Sequence, residues 1–329
     1  MKKLILHIGF PKTGTTSLYH ELIPHIRDVA CYAPNTDINL QRQLLSENNL
    51  QHNLTLKKFL ENLFISNKYT EDAIRILNNS QHNVVFLSSV NFMSGMFFKG
   101  LYTRDNSYLT PQKIARRLHE VFSMHFDVEL LFTIRSQSSW LPSAFSEWST
   151  FLRSHDGGNS LESFLNMFIY GGTKFNSLNY FSLYNEFIKY FPARNIHFFL
   201  FEKLKYDQFS FYQDFLNLIE SNFDLRSHGL IRKRNVRSIS PTSKNGLDYS
   251  LFNLLYKFKL IFFRNVSFNS QVRFPLLIKF LNFLSLPIKN TIRINVQQCD
   301  RIFKSYSDCN TKFFNRLSLD KKYLKYYAE

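Results

Sequence analysis

Short apolar runs alternate with stretches of helical periodicity through most of this sequence. Four runs have the length and the β-branched or aromatic content of strands buried on both faces of a parallel sheet: residues 4–8, 84–87, 128–134 and 195–201. Between and after them, apolar side chains recur every three or four positions, which predicts helices over residues 55–78, 110–121, 136–145, 160–191, 207–219 and 299–327. This alternation predicts an α/β fold with three layers, a central and mainly parallel sheet, and an α-rich C-terminal portion. Residues 34–55 and 92–110 read as polar or irregular loops.

The segment between the first strand and the next helix has the pattern of an anion-binding loop. Gly9 and Gly14 bracket four residues, and three hydroxyl residues at 15–17 then lead into a helical pattern. The N–H groups at such a helix start, assisted by the helix dipole, bind phosphate or sulfate well. The predicted fold is therefore P-loop-like, with an anion at the end of the first strand.

The position of the lysine separates this loop from that of nucleotide hydrolases. Their motif reads Gly, four residues, Gly-Lys-Ser/Thr, and its lysine follows the second glycine. Here Thr15 occupies that position, and the lysine of the loop is Lys12. Taken as residues alone, the segment is also compatible with an ordinary glycine turn and a threonine-capped helix without a ligand.

A closer match comes from residues 10–17, which read Phe-Pro-Lys-Thr-Gly-Thr-Thr-Ser. This run resembles the 5′-phosphosulfate loop of sulfotransferases that use 3′-phosphoadenosine 5′-phosphosulfate (PAPS). The resemblance implies that Lys12 is catalytic and stabilises the leaving 5′-phosphate, with no metal ion. It also implies contacts to the co-substrate from the backbone and hydroxyl groups of the loop: Lys12, Thr13, Gly14, Thr15, Thr16 and Ser17.

A second anion contact is predicted directly after the strand at residues 128–134. Arg135 stands at the end of that strand and Ser143 follows eight residues later in the next helix, so both are placed to face one anion. The arginine fork matches phosphate, and the hydroxyl adds another donor. An arginine that only caps the strand and pairs with a surface carboxylate is the alternative. Residues 135–143 resemble the Arg-x-Gln segment of bacterial carbohydrate sulfotransferases, which implies that Arg135 and Ser143 hold the 3′-phosphate of PAPS.

Three further segments bear on the same resemblance. The basic run at residues 231–238 is typical of a solvated loop, but the resemblance assigns a subset to the 3′-phosphate: Lys233, Arg234 and Asn235. Residues 307–310, Ser-Asp-Cys-Asn, are similar to a terminal stretch of the bacterial family members. Glu202, at the end of the last predicted strand, is interpreted as a structural carboxylate near a helix start.

The resemblance does not supply a general base for the reaction. An acceptor hydroxyl needs a proton acceptor, and many bacterial relatives carry a glutamate in a Ser-Ser-Glu sequence after the second strand. Here Ser88 and Ser89 are followed by Val90. Either the base is elsewhere, or the protein binds PAPS without efficient turnover. The alternative positions are His20, His25, Asp105 and Glu147.

Composition and charge limit the class of protein and its partners. The 329 residues are 44% hydrophobic and carry a formal charge of +16, which favours an acidic partner. We predict a single sulfotransferase-like domain, with a core over about residues 1–240 and an α-rich extension over about residues 241–329. The three cysteines, Cys31, Cys299 and Cys309, are too few and too scattered for a disulfide framework or a zinc site. They fit a reduced compartment, so a cytoplasmic protein is expected.

Membrane contact is a separate question. No stretch reaches the roughly 18 uninterrupted apolar residues of a membrane span. Residues 249–288 are apolar and aromatic with interspersed lysines, which favours core helices. The alternative is a peripheral contact with the inner face of a membrane.

The predicted function is transfer of the sulfuryl group from PAPS to a hydroxyl of a carbohydrate or a lipid-linked glycan. One alternative is an ATP-dependent kinase with a P-loop, but neither its Gly-Lys-Ser/Thr order nor a Mg²⁺ carboxylate is evident. Another is a basic, non-enzymatic protein that binds a membrane or nucleic acid, although no recognised nucleic-acid module is present. The identity of the acceptor and the oligomeric state are not encoded in any pattern of the sequence.

Overall fold

A computed structural model describes residues 1–33, 47–89, 91–97, 108–155, 160–171, 178–226 and 294–328. The strands are β1 (Lys2–His7), β2 (Ala30–Tyr32), β3 (Val84–Ser88), β4 (Phe126–Ile134) and β5 (Ile196–Leu200). The α-helices of the first half are α1 (Thr15–Ser17), α2 (Glu47–Asn62), α3 (Thr70–Asn78), α4 (Asn91–Phe97), α5 (Pro111–Phe122) and α6 (Gln137–His155). Those of the second half are α7 (Leu161–Tyr170), α8 (Tyr180–Phe187), α9 (Phe201–Tyr206), α10 (Gln208–Leu218), α11 (Val296–Arg316) and α12 (Lys325–Ala328).

The five described strands form one sheet in the order β2-β3-β1-β4-β5, and all four pairings are parallel. This confirms the predicted α/β class and the parallel sheet. In the register, His7 at the end of β1 lies beside Ser88 at the end of β3. The carboxyl ends of the three central strands therefore meet at one edge, where ligands bind in open α/β sheets.

Helices cover both faces of the sheet, which confirms the three-layer arrangement. On one face, the helical turns after α1 and helix α10 pack in a buried cluster with the strand residues Ile5, Phe86 and Leu131. On the other, Phe132 of β4 stacks on Phe198 of β5 at 4.8 Å, and aromatic rings of α8 and α11 pack against this pair. Alternate residues along each strand thus serve opposite layers.

Two helix predictions need correction. The single helix expected over residues 55–78 is two helices, α2 and α3, because Tyr69 adopts a left-handed backbone conformation just before α3 (φ 67°). Residues 92–110 were expected to be a loop, yet α4 occupies residues 91–97. Its buried residues come in two pairs four apart, which is helical spacing: Phe92 and Met96, Met93 and Phe97. The short edge strand β2 was not predicted.

Helix α11 joins the same body as the N-terminal elements. It begins with a capping box in which Asn295 and Gln298 exchange side-chain and backbone bonds, and it packs against α6, α7 and α8. Residues 227–293 lie outside the described ranges, so the division into a core and a C-terminal extension stays a prediction. Among the helices described, none is both long enough and apolar enough to cross a membrane.

Candidate functional site

The loop between β1 and α1 has an unusual backbone. Lys12 has φ 67° and Gly14 has φ 86°, with Thr13 between them in an ordinary conformation. A non-glycine residue with positive φ is uncommon and marks a backbone held in place by its surroundings. Alternation of ordinary and left-handed residues turns successive N–H groups toward one concave surface, which binds anions.

Side chains of the segment after β4 hold this loop through its carbonyl oxygens. The indole nitrogen of Trp140 donates to the carbonyl of Pro11 at 2.7 Å. The guanidinium of Arg135 donates through Nη1 to the carbonyl of Lys12 at 3.2 Å. Because these two oxygens are bonded to the protein, the strained loop conformation is stabilised without using its N–H groups.

The backbone N–H groups of Thr13, Gly14, Thr15 and Thr16 have no acceptor among the residues that the structure describes. The next amide, that of Ser17, donates to the carbonyl of Gly14 at 3.0 Å. The first N–H groups of a helix have no partner within it. Four consecutive donors at a helix start, preceded by a left-handed turn, form a site suited to phosphate or sulfate.

The loop side chains differ in what they contribute. Thr13 is fully buried, and its hydroxyl donates to the carbonyl of Phe10 at 2.5 Å, so its N–H is the group left for an anion. Thr16 is exposed, whereas Thr15 is buried. Lys12 is partly exposed at the start of the concave turn. A Cβ at Gly9 would be crowded, since it would lie 3.0 Å from Cγ2 of Thr15 and 3.1 Å from Nε2 of His7.

Arg135 is bonded more to the protein than the sequence predicted. Its Nε donates to Ser139 at 2.8 Å, and the guanidinium lies 4.6 Å from the centre of the Phe201 ring. Burial lowers the pKa of Arg135 from its usual value, and the charge of Glu202 opposes that shift. Ser143 lies one helical turn beyond Ser139 and is partly exposed. The structure holds no bond between Arg135 and Ser143, and their shared contact with one anion stays a prediction.

A buried amide pair connects this segment to the C-terminal helix. Gln137 and Asn310 exchange two hydrogen bonds, of 3.1 and 3.0 Å. Gln137 also donates to the carbonyl of Leu178, and Asn310 to that of Tyr327. Two segments that the sequence predicted separately, residues 135–143 and 307–310, therefore meet in the core. Their pairing had no signal in the sequence beyond the two polar residues themselves.

Glu202 completes this support. Its carboxylate accepts the N–H of Ser136 at 3.1 Å and the hydroxyl of Tyr327 at 2.6 Å. Burial, reinforced by the charge of Glu202, raises the pKa of Tyr327 well above its usual value, so the phenol remains a donor. Tyr180 donates to the carbonyl of Arg135 at 2.6 Å. These contacts agree with the structural interpretation of Glu202.

Sequence reasoning missed a chain of buried polar side chains beneath the loop. His7 contacts Ser88 through Nδ1 at 2.7 Å and Thr133 through Nε2 at 3.0 Å. Thr133 contacts Thr13 at 2.8 Å, and Tyr19 bonds to Ser88. Burial lowers the pKa of His7 to about 3, so its imidazole is neutral. The available signal was a histidine at the end of an otherwise apolar strand.

Several predicted residues cannot be placed. Lys233, Arg234 and Asn235 lie outside the described residues, as do Val90 and Asp105. The backbone of His20 and Glu147 is described, but their side chains are not. His25 stacks on Phe223, with 6.1 Å between ring centres. The structure therefore identifies no general base among these positions, and the assignment of the base stays open.

Comparison with solved structures finds 25 matching chains, of which three are described below. No protein-family model matches the sequence, and no curated protein matches it at a significant level. A sulfotransferase from Alicyclobacillus acidocaldarius has a TM-score of 0.43 and 14% identity, over 77% of this chain and 91% of that chain.

Two further neighbours are each 13% identical to this chain, with a TM-score of 0.38. They are the mouse sulfotransferase SULT7A1 complexed with PAP (69% of this chain, 61% of that chain) and the sulfotransferase domain of the Synechococcus PCC 7002 olefin synthase (78% and 94%). At these scores and identities the neighbours establish neither the family nor the activity of this chain.

Proposed function

We propose that this protein is a sulfotransferase that moves the sulfuryl group of PAPS to a hydroxyl of a carbohydrate or glycolipid. One observation carries the proposal: the loop at residues 9–14 is held through its carbonyl oxygens, while four consecutive N–H groups at residues 13–16 have no acceptor among the described residues. Lys12 stands in the turn of that loop rather than after its second glycine. That placement supports a phosphosulfate ligand over a nucleoside triphosphate.

The second part of the proposal concerns the 3′-phosphate. Arg135 retains a positive charge at the end of β4, beside the loop, and Ser139 and Ser143 follow on one face of α6. In the proposed complex, Arg135 and Ser143 bind the 3′-phosphate. The loop amides, the Thr15 and Thr16 hydroxyls and Ser17 bind the 5′-phosphate. Lys233, Arg234 and Asn235 are proposed to complete the 3′-phosphate contacts.

The proposed reaction is an in-line displacement at sulfur. A bond forms between the acceptor oxygen and sulfur as the bridging bond to the 5′-phosphate breaks, its electron pair leaving with the phosphate. The acceptor proton passes to a general base, whose position is not assigned. In this proposal, Lys12 and the loop amides stabilise the negative charge that develops on the departing phosphate, and the amides are already oriented before the reaction.

Calorimetric titration with 3′-phosphoadenosine 5′-phosphate (PAP) tests the nucleotide assignment. We expect saturable binding that is unchanged by EDTA, and weaker binding of AMP because it lacks the 3′-phosphate. A preference for ATP with Mg²⁺ would instead support the kinase alternative. If neither nucleotide binds, the result would support the non-enzymatic alternative, in which this basic protein binds a membrane or nucleic acid.

The acceptor requires a separate experiment. Radiolabelled PAPS incubated with the protein and a panel of bacterial surface glycans and glycolipids should label one class. A Lys12→Ala protein in parallel gives the background. A cytoplasmic enzyme acting at the inner face of a membrane remains part of the proposal. Residues 249–288, on which membrane contact was predicted, lie outside the described ranges.

A further inference from the structure

The chain of polar side chains beneath the loop has a defined order. It begins at Tyr19, which is partly exposed, and passes through Ser88, His7 and Thr133 to Thr13. The middle three residues are at most 1% exposed. The chain connects the ends of β3, β1 and β4 to the anion-binding loop.

The hydrogen bond from Thr13 to the Phe10 carbonyl fixes the direction of the next two hydrogen bonds in the chain. Thr13 donates to the carbonyl of Phe10, because a carbonyl oxygen has no proton to give. The single hydroxyl proton of Thr13 is therefore used, and Thr133 must donate to Thr13. The proton of Thr133 is then used as well, so Nε2 of His7 must carry a proton and donate to Thr133.

The other half follows from the chemistry of imidazole. A neutral imidazole protonated at Nε2 has an unprotonated Nδ1, which accepts a hydrogen bond. Ser88 therefore donates to Nδ1 of His7, and Tyr19 donates to Ser88. Every bond from Tyr19 to the Phe10 carbonyl runs the same way. The burial that keeps the pKa of His7 at about 3 agrees with this neutral form.

We propose that His7 is a positioning residue whose Nε2-protonated, neutral tautomer orients Thr133 and Thr13, and so holds the loop in its anion-binding conformation. The inference rests on the proposed nucleotide site, because it concerns the same loop. With its hydroxyl fixed toward the Phe10 carbonyl, Thr13 keeps its N–H for the anion. His7 acts through Thr133 and does not itself contact the ligand.

The tautomer is directly measurable. In a ¹⁵N-labelled protein, the correlation spectrum of His7 should show a protonated Nε2 and an unprotonated Nδ1, unchanged from about pH 5 to about pH 9. A His7→Gln spectrum identifies the signals. Protonation at Nδ1, or at both nitrogens, would overturn the inferred direction of the chain.

Two substitutions of His7 distinguish the effect of its hydrogen bonds from the effect of its ring shape. Glutamine carries one donor and one acceptor group, as the neutral imidazole does. Phenylalanine keeps a ring for the stacking on Phe86 but bonds to neither hydroxyl. Since one buried bond is worth about a factor of ten, His7→Phe should weaken PAP binding about tenfold and His7→Gln less than about threefold. Equal PAP affinity of folded His7→Phe and wild type would refute the role of His7.

Two further sets of variants serve as controls for this test. Tyr19→Phe removes only the first donor of the chain, so PAP affinity should stay within about twofold. If His7→Phe does not fold, Thr133→Val and Thr133→Ser replace the pair, and only the valine should lose affinity. Failure of the wild type to bind PAP would contradict the proposed function, whereas the His7 tautomer would still decide the direction of the chain.

Discussion

The loop at residues 9–17 and the segment at residues 135–143 use their hydrogen-bond donors in opposite ways. In the loop, four consecutive backbone donors have no acceptor in the described part of the chain. In the segment, the donors of Arg135, Gln137 and Trp140 are bonded to the protein, two of them to carbonyls of the loop. One region is arranged to receive an anion, and the other uses its donors to keep that region in place.

The difference shows the limit of assigning roles by residue type. Arginine after a strand matches phosphate chemistry, and that match led to the prediction for Arg135. In the structure, two of its donors already bond to Lys12 and Ser139. Any contact to a phosphate is then additional to a structural role. Substitution of Arg135 would change both its structural contacts and any phosphate contact. The contributions of the loop and of residues 135–143 must therefore be distinguished by substitutions at other positions.

The largest effect is expected from Lys12→Ala in the loop. In the proposed reaction Lys12 stabilises the leaving phosphate, so loss of its charge should lower sulfuryl transfer from PAPS by about 10³-fold. The thermal midpoint of unfolding should stay close to that of wild type. Lys312→Ala is the matched control, because it removes an exposed lysine that pairs with Asp308 on α11. Near-normal transfer by Lys12→Ala would refute the catalytic assignment.

Gly14→Ala should break the loop conformation itself. The residue has φ 86°, and an added Cβ would collide with the side chain of Leu204. We expect a loss of about 3 kcal/mol in the free energy of unfolding and little residual PAP binding. Gly171→Ala is the control, since Gly171 is exposed with φ −68°. Unchanged PAP affinity in folded Gly14→Ala would show that the loop is not part of the nucleotide site.

A substitution in the contacts that hold residues 135–143 should lower the free energy of unfolding more than it lowers PAP affinity. Asn310→Leu leaves the buried Gln137 without its amide partner, which should cost about 2 kcal/mol in chemical unfolding. Adding Gln137→Met should cost about 1 kcal/mol less than the sum of the two single changes, because neither buried amide is then left without the other. Strict additivity would show that the two amides are not coupled.

The smallest effect is expected from Trp140→Phe, which removes the bond to the Pro11 carbonyl but keeps an aromatic ring. Loss of one such bond should weaken PAP binding by about fivefold. Phe187→Leu, a core change at a ring that packs on Phe132 of β4, controls for general loosening. If both variants lower PAP affinity equally, the indole bond has no specific role in holding the loop.

The sequence was most informative where neighbouring residues build one feature. The central strands and the loop were predicted because their signals are continuous over a few residues. The short strand β2 has too few residues for a pattern, and α4 was hidden by Gly95 and its aromatic neighbours. The bond between Gln137 and Asn310 depends on the packing of α6 against α11, which no local pattern records. The role of His7 likewise depends on hydroxyls from two other strands.

The amide pair of Gln137 and Asn310 also affects the order in which the support of the loop can form. It joins residues 173 positions apart, and Tyr327 bonds to both Asn310 and Glu202. During synthesis, the loop leaves the ribosome long before Asn310 and Tyr327 do. A nascent chain that has already formed β1 and α1 therefore still lacks the contacts between α6 and α11. We expect the loop to be fully supported only after α11 has been made.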